Sequence, residues 1–130
     1  MRFTSDPTNT NIIRSCTNGA IQLRDSLITS HLIISADSIT TDWNPPQVEE
    51  LSINDLSSAL ELKPEVLLLG TGVIQRFPNI SVLTELMQQG IAIEVMHTHA
   101  ACRTFNVLVS EQRAVVAALI NESSAQADSG

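Results

Sequence analysis

Tyrosine is absent, and with one tryptophan and three phenylalanines the aromatics come to 3% of the 130 residues. The core therefore has to be aliphatic, built from Leu, Ile, Val and Ala. Basic residues are also scarce: one lysine and six scattered arginines face fourteen acidic residues, for a formal charge of -7. A surface that tracks phosphates needs clustered Lys and Arg to release counterions, so nucleic acid and anionic membrane are excluded as expected partners. Any steering of a substrate has to be local. Cysteine is limited to Cys16 and Cys102, far apart and without a CxxC pair, which suits a reducing compartment and provides no disulfide framework. No apolar run approaches the roughly 20 residues that span a bilayer. The start, Met1 to Thr10, lacks the basic residues and apolar run of a signal peptide and is too acidic for a transit peptide. A soluble, cytoplasmic protein is expected.

At 43% hydrophobic and 16% charged the composition is that of a globular chain. Its length fits one domain, which can bury roughly two thirds of its unfolded surface. The polar ends suggest flexible termini at 1–10 and 121–130 around a single domain at 11–120.

Between those ends the pattern changes once. Ile12-Ile13, Ala20 to Leu23, Leu27 to Ser35 and Ile39 to Trp43 read as strands, with Asn18-Gly19 as a hairpin turn because both residues tolerate positive φ. They suit a meander or a small antiparallel layer. Pro45-Pro46 ends this part, since two prolines cannot join a central ladder. Helices and strands then alternate. Ser52 with Asp55 resembles a capping box before a short helix closed by Pro64. Val66 to Leu69 is a continuous apolar run, as a strand buried on both faces requires. Asn79 can cap a second helix with the stripe Ile80, Leu83, Met87 and a stop at Gly90. Ile91 to Met96 reads as a second buried strand, Thr98 as the cap of a third helix through about Val109, and Val115 to Ile120 as a last strand. The expected fold class is α/β: a three-layer single domain with a mixed, mostly parallel central sheet from the C-terminal βαβαβ unit and an additional N-terminal β layer.

Two loops directly follow two of these strands, Gly70-Thr71-Gly72 and His97-Thr98. If the strands are neighbours the loops share one rim, where open α/β sheets collect ligands. The glycine loop has two readings. Its backbone N–H groups can meet an anion with Arg76 as counter-charge, or two glycines can make a tight turn under a close-packed helix. It carries neither the third glycine of a dinucleotide fingerprint nor the Gly-Lys-Ser/Thr of a P-loop.

On the third helix, Ala101, Phe105, Leu108 and Val109 share the core face. His99, Arg103 and Asn106 gather opposite, with Cys102 at the border. The helix start points its N–H groups at the rim, which suits a carboxylate or phosphate; a plain solvated face is the alternative. His97-x-His99-x-x-Cys102 matches no strong zinc spacing and lacks a fourth ligand. Cys102 with His99 lacks an orienting acid and an oxyanion hole, so a catalytic pair is incomplete. His31 reads as a packed or hydrogen-bonded strand residue, and Trp43 as a cover for the core edge. No cofactor is implied.

One long set of motifs is distinctive: Leu67-Leu68-Leu69-Gly70-Thr71-Gly72, Arg76-x-Pro78, Gly90-Ile91, and Glu94-Val95-Met96-x-Thr98-x-Ala100-Ala101-Cys102-Arg103-Thr104-Phe105-Asn106-Val107-Leu108. Together they resemble the domain of unknown function 498 family, related to mitochondrial NADH dehydrogenase (complex I) assembly factor 3. The resemblance implies a three-layer α/β fold and a role in assembly, with respiratory-complex components as partners. It singles out Gly70, Gly72, Thr98, Cys102, Arg103 and Asn106. Phe105 stands where relatives often carry tyrosine, and His97 and His99 fall outside the family pattern. Two functions follow as expectations. One is a non-enzymatic binding or assembly protein with protein partners. The other is an anion-binding enzyme or metabolite sensor using Gly70, Thr71, Gly72, Arg76, Thr98, His99, Cys102, Arg103 and Asn106. Homodimerisation through an exposed strand is left open.

Overall fold

The computed structural model describes residues 10–123; of the expected flexible termini, 1–10 and 121–130, residues 1–9 and 124–130 lie outside them. The N-terminal strands β1 (Ser15–Thr17), β2 (Ala20–Gln22) and β3 (Leu27–Ile28) form an antiparallel meander. The turn between the first two is Asn18-Gly19, at φ 49° and 88°, the positive values that the sequence anticipates. A second sheet contains β4 (Leu32–Ser35), β5 (Ile39–Thr40), β6 (Val66–Gly70), β7 (Ala92–Met96) and β8 (Val115–Leu119), in the order β5-β4-β8-β6-β7. β6 is parallel to β7 and β8, whereas β4 is antiparallel to β8 and β5. The α/β fold with a mixed central sheet is thus found.

Two cores sandwich this sheet. On one face, Ile13, Ile21, Leu23, Ala101, Cys102 and Phe105 pack the meander and helix α3 (Thr98–Ser110) onto Leu32, Ile34, Leu68 and Ala117. On the other, two 3-10 turns (Val48–Glu50 and Asn54–Leu56) and the helices α1 (Ser57–Leu60) and α2 (Ile80–Gln88) cover Ile33, Leu67, Leu69 and Ala118. Strands β6 and β8 are buried along their whole length, which explains their unbroken apolar runs. Trp43 closes the second core and donates its indole N–H to the Asp55 carbonyl at 2.8 Å. The capping box forms: Ser52 N–H donates to the Asp55 carboxylate at 2.8 Å, and Asp55 N–H donates back to Ser52 Oγ at 3.3 Å.

Several expectations change. Ile12-Ile13 precedes the first strand instead of forming it, and Leu27 to Ser35 divides between two sheets. β7 is not buried on both faces; it is the edge strand, with Ala92 and Glu94 exposed. α2 buries Val82 and Leu86, while Ile80 is 73% and Met87 66% exposed. The helix carries two apolar rows, Ile80-Leu83-Met87 and Val82-Leu86, about 110° apart, and helical period alone cannot say which one faces the sheet. Asn121, placed in the C-terminal tail by composition, is buried, and its side-chain amide donates to the carbonyls of Ile28 and Ser30.

Asn106 has a role that its position on a polar helix face hid. Its amide accepts from Ile13 N–H at 2.9 Å and donates to Ile13 C=O at 2.7 Å, fastening the entry of the meander to α3. Asn106→Ala should lower the unfolding free energy by about 1–3 kcal/mol in urea titration, the cost of orphaning partly buried backbone groups. It should also speed hydrogen exchange at Ile13; unchanged stability would contradict this role.

Candidate functional site

The carboxyl ends of β6, β7 and β8 meet at one rim, as parallel neighbours must. Backbone and side-chain bonds weave this rim together. Ile120 N–H donates to Gly70 C=O at 2.9 Å, Thr71 N–H to Met96 C=O at 2.9 Å and Thr98 N–H to Gly72 C=O at 2.9 Å. The buried Thr98 hydroxyl donates to Ile120 C=O at 2.6 Å and accepts from Gly72 N–H at 2.8 Å. Gly70 lets α3 approach this closely: a Cβ there would lie 2.9 Å from Leu119 Cδ2 and 3.1 Å from Thr98 Cα. Thr71 is also buried; its Oγ1 donates to Ile74 C=O and accepts from Arg76 N–H, closing the following loop.

Gly72 adopts φ 101°, and any Cβ it carried would collide with the Glu122 carboxylate. Glu122 Oε1 accepts from Val73 N–H at 3.1 Å. The anion that the glycine loop receives is therefore one of the chain's own carboxylates. Arg103 Nη1 is 2.8 Å from His99 Nδ1.

A pocket of about 570 Å³ opens beside this junction, walled by Cys16 and the Asn18-Gly19 turn, Gly72, His97, His99 and Glu122. His97, not Thr98, caps α3, its Nδ1 accepting from Ala100 N–H at 3.2 Å. A guanidinium only donates, so His99 Nδ1 accepts from Arg103, and in its neutral form each ring carries its proton on Nε2. The two rings are near parallel, 6.4 Å apart. Of the expected residues, Gly72, Thr98 and His99 line this pocket, whereas Arg76, Cys102, Arg103 and Asn106 do not. Among the described residues, no three His, Cys, Asp or Glu side chains converge as a metal set. A larger groove, about 830 Å³, lies at the opposite end of the sheet beside Asp37, Lys63 and Arg113. It is remote from the strand ends where loops converge.

Sequence reasoning missed Cys16 and Glu122. Cys16 packs from β1 against the core that holds Cys102. The neighbouring Cys102 thiol pulls the Cys16 thiol below its ordinary range, against partial burial, while Cys16 and burial push Cys102 up. His31 is likewise tied in: Asn121 N–H donates to its Nδ1 at 3.0 Å, and its ring packs edge-on to Trp43. Burial pushes its pKa down, and nearby Glu122 only partly opposes this.

A model of the family described as "Protein of unknown function (DUF498/DUF598)" matches residues 13–120. The Danio rerio "NADH dehydrogenase [ubiquinone] 1 alpha subcomplex assembly factor 3" is 46% identical over 80 residues, 60% of this chain and 46% of that protein; the chain thus spans less than half of its length. A "13 kDa major membrane protein" of Francisella tularensis subsp. holarctica is 30% identical over 90 residues, covering 68% of this chain and 73% of that one. The crystal structure of a Bordetella parapertussis protein superposes with a TM-score of 0.81 at 29% identity, covering 90% of this chain and 100% of that one. No helix among the described residues is long and apolar enough to cross a membrane.

Thr98→Val keeps the shape but strands Gly72 N–H and Ile120 C=O; equilibrium unfolding should show a loss of about 1–3 kcal/mol per orphaned group. A loss below 0.5 kcal/mol, the ordinary range of a surface change, would contradict the junction. His31 makes a pH-dependent contribution. Its folded pKa lies below the ordinary 6.5, so its stabilisation is complete above that value and lost as pH falls through the folded one. Unfolding free energies measured from about pH 7 to pH 5 should fall more steeply in the parent than in His31→Gln. Parallel profiles would remove His31 as the cause.

Proposed function

The chain belongs to the DUF498/DUF598 family, and from that premise we propose that it is a non-catalytic binding and assembly protein that holds a protein partner by an apolar face. The observation that carries this reading is the distribution of exposed apolar side chains. Val73, Ile74, Phe77, Ile80 and Met87, five of the nine large exposed hydrophobics among the described residues, occupy one continuous stretch of loop and helix. Ile80 and Met87 stand one above the other on the outer face of α2, seven residues apart. Clustered exposed apolar side chains mark interaction surfaces far more often than isolated ones do.

The names of the relatives support an assembly-related role, since several are called assembly factors of NADH dehydrogenase. We accordingly infer a partner among respiratory-complex subunits or their assembly components, and a reducing, cytoplasmic setting in keeping with two free cysteines. Nothing in the rim favours the alternative of an anion-using enzyme: the loop N–H that would take the anion already holds Glu122.

Tagged chain purified gently from its native cells should recover a reproducible partner that Ile80→Glu with Phe77→Glu abolishes. Because both side chains are largely exposed, 73% and 56%, each change should alter stability by less than about 0.5 kcal/mol. Equal recovery by parent and double variant would overturn the docking face. Recovery of no partner at all, with a defined turnover detected instead, would overturn the assembly reading.

A further inference from the structure

Among the described residues β7 is the longest edge strand, with five residues. The other edges, β1, β3 and β5, have two or three, too few to offer another chain much of a template. β7 also carries neither proline nor lysine, the usual guards of an open edge. Two bonds fix the direction of its backbone. Ala92 N–H donates to Glu65 C=O at 3.0 Å, and Met96 C=O accepts from Thr71 N–H at 2.9 Å, so positions 92, 94 and 96 turn toward β6. Ile93 and Val95 therefore turn their N–H and C=O groups outward. Val95 C=O accepts from Gln75 Nε2 at 3.0 Å, a side-chain donor standing where the N–H of a neighbouring strand would stand.

The helix above this edge supplies a wall. α2 packs on β7 and buries Val82 and Leu86. One flank of α2, with Ser81 and Glu85, faces the 3-10 turns across a hollow that also takes in Ser52 and Asn54. Those turns lead into α1, which packs on β4 and β8, the inner strands of the sheet. At 100° per residue Ile80, Leu83 and Met87 occupy the opposite flank, which overhangs the open edge. The half-buried side chains of Ile93 and Val95 lie on the same face of the sheet. A strand laid along β7 would meet this apolar wall on one face, and the exposed Ala92 and Glu94 on the other.

Resting on the reading of the chain as a binding protein, we propose that β7 takes up an extended segment of the partner as an added strand. That segment has apolar residues at alternate positions, facing the α2 row, and basic residues between them, beside Glu94. Main-chain bonds to Ile93 and Val95 supply affinity, while the wall and Glu94 select the sequence. A formal charge of -7 draws a basic segment and opposes a second copy of this chain. A two-fold pairing of β7 edges through Ile93 and Val95 would also set Glu94 against itself, like charges directly opposite.

The probe is a synthetic peptide in which valine alternates with lysine and threonine, titrated into the isotope-labelled full chain. Hydrogen exchange at the Ile93 and Val95 amides should slow at least about tenfold at saturation, while Ala92 and Glu94, whose amides face β6, change little. Glu94→Lys, a change at an exposed side chain, should weaken this peptide and strengthen one with glutamate in place of lysine, by about two- to fivefold each. Indifference to that exchange would overturn the basic character assigned to the segment. Unchanged exchange of Ile93 and Val95 at about millimolar peptide, the weak end of specific binding, would overturn the proposal. So would protection of those amides in a concentration-dependent dimer without peptide. If the edge stays bare while Ile80→Glu with Phe77→Glu still abolishes partner recovery, strand addition falls and the docking face stands. If the peptide protects the edge while that double variant recovers the partner as the parent does, the docking face falls and the strand site stands.

Discussion

One hydroxyl holds the rim together. Thr98 Oγ1 gives its proton to the Ile120 carbonyl just past β8 and takes one from the loop after β6, and its own backbone N–H returns to that loop. Three segments distant in sequence, 70–72, 98 and 120, are thus joined at a single buried atom, where an unmet donor or acceptor would be costly. The junction needs two glycines. Gly70 leaves room for α3 to reach β6 and β8, and Gly72 turns at positive φ beside Glu122. The start of α3, the order β8-β6-β7 and the path of the C-terminal segment past the meander all depend on this point.

That junction bears directly on function. A glycine-rich loop beneath a helix start has the layout of an anion site, but here the chain's own threonine and glutamate supply its hydrogen-bond partners. The groups left facing outward are different in kind: the apolar row from Val73 to Met87, and a pocket in which histidines, a carboxylate and a thiol meet. The first suits a macromolecular partner and the second a small polar molecule. They are separate features of the molecule, and neither requires the other.

Much of the architecture was legible in the sequence because local chemistry agreed with the fold. The unbroken apolar runs marked β6 and β8, Asn18-Gly19 marked the hairpin, Ser52 and Asp55 marked a helix start, and the motif set from Leu67 to Leu108 marked the family. The errors share a cause: each needed to know what lay opposite. Two apolar rows on α2 are equivalent until the sheet chooses one. β7 has the composition of a buried strand but no neighbour on one side. Asn106 and Thr98 look like ligand residues on a polar face and at a helix start, yet their partners, Ile13 and Ile120, come from remote segments. Cys16 and Glu122 escaped notice for the same reason, since no spacing in one dimension brings position 16 to 102 or 122 to 73.

Native-state hydrogen exchange at the amides of Gly72, Thr98 and Ile120 tests the central claim, that the rim is a closed junction and not an open ligand loop. If it is closed, these amides exchange only through global unfolding, with the same free energy as the slowest amides of β6 and β8. Exchange of Gly72 and Thr98 through local opening, at a free energy well below that of the central strands, would contradict it and return the glycine loop to the role of a binding site.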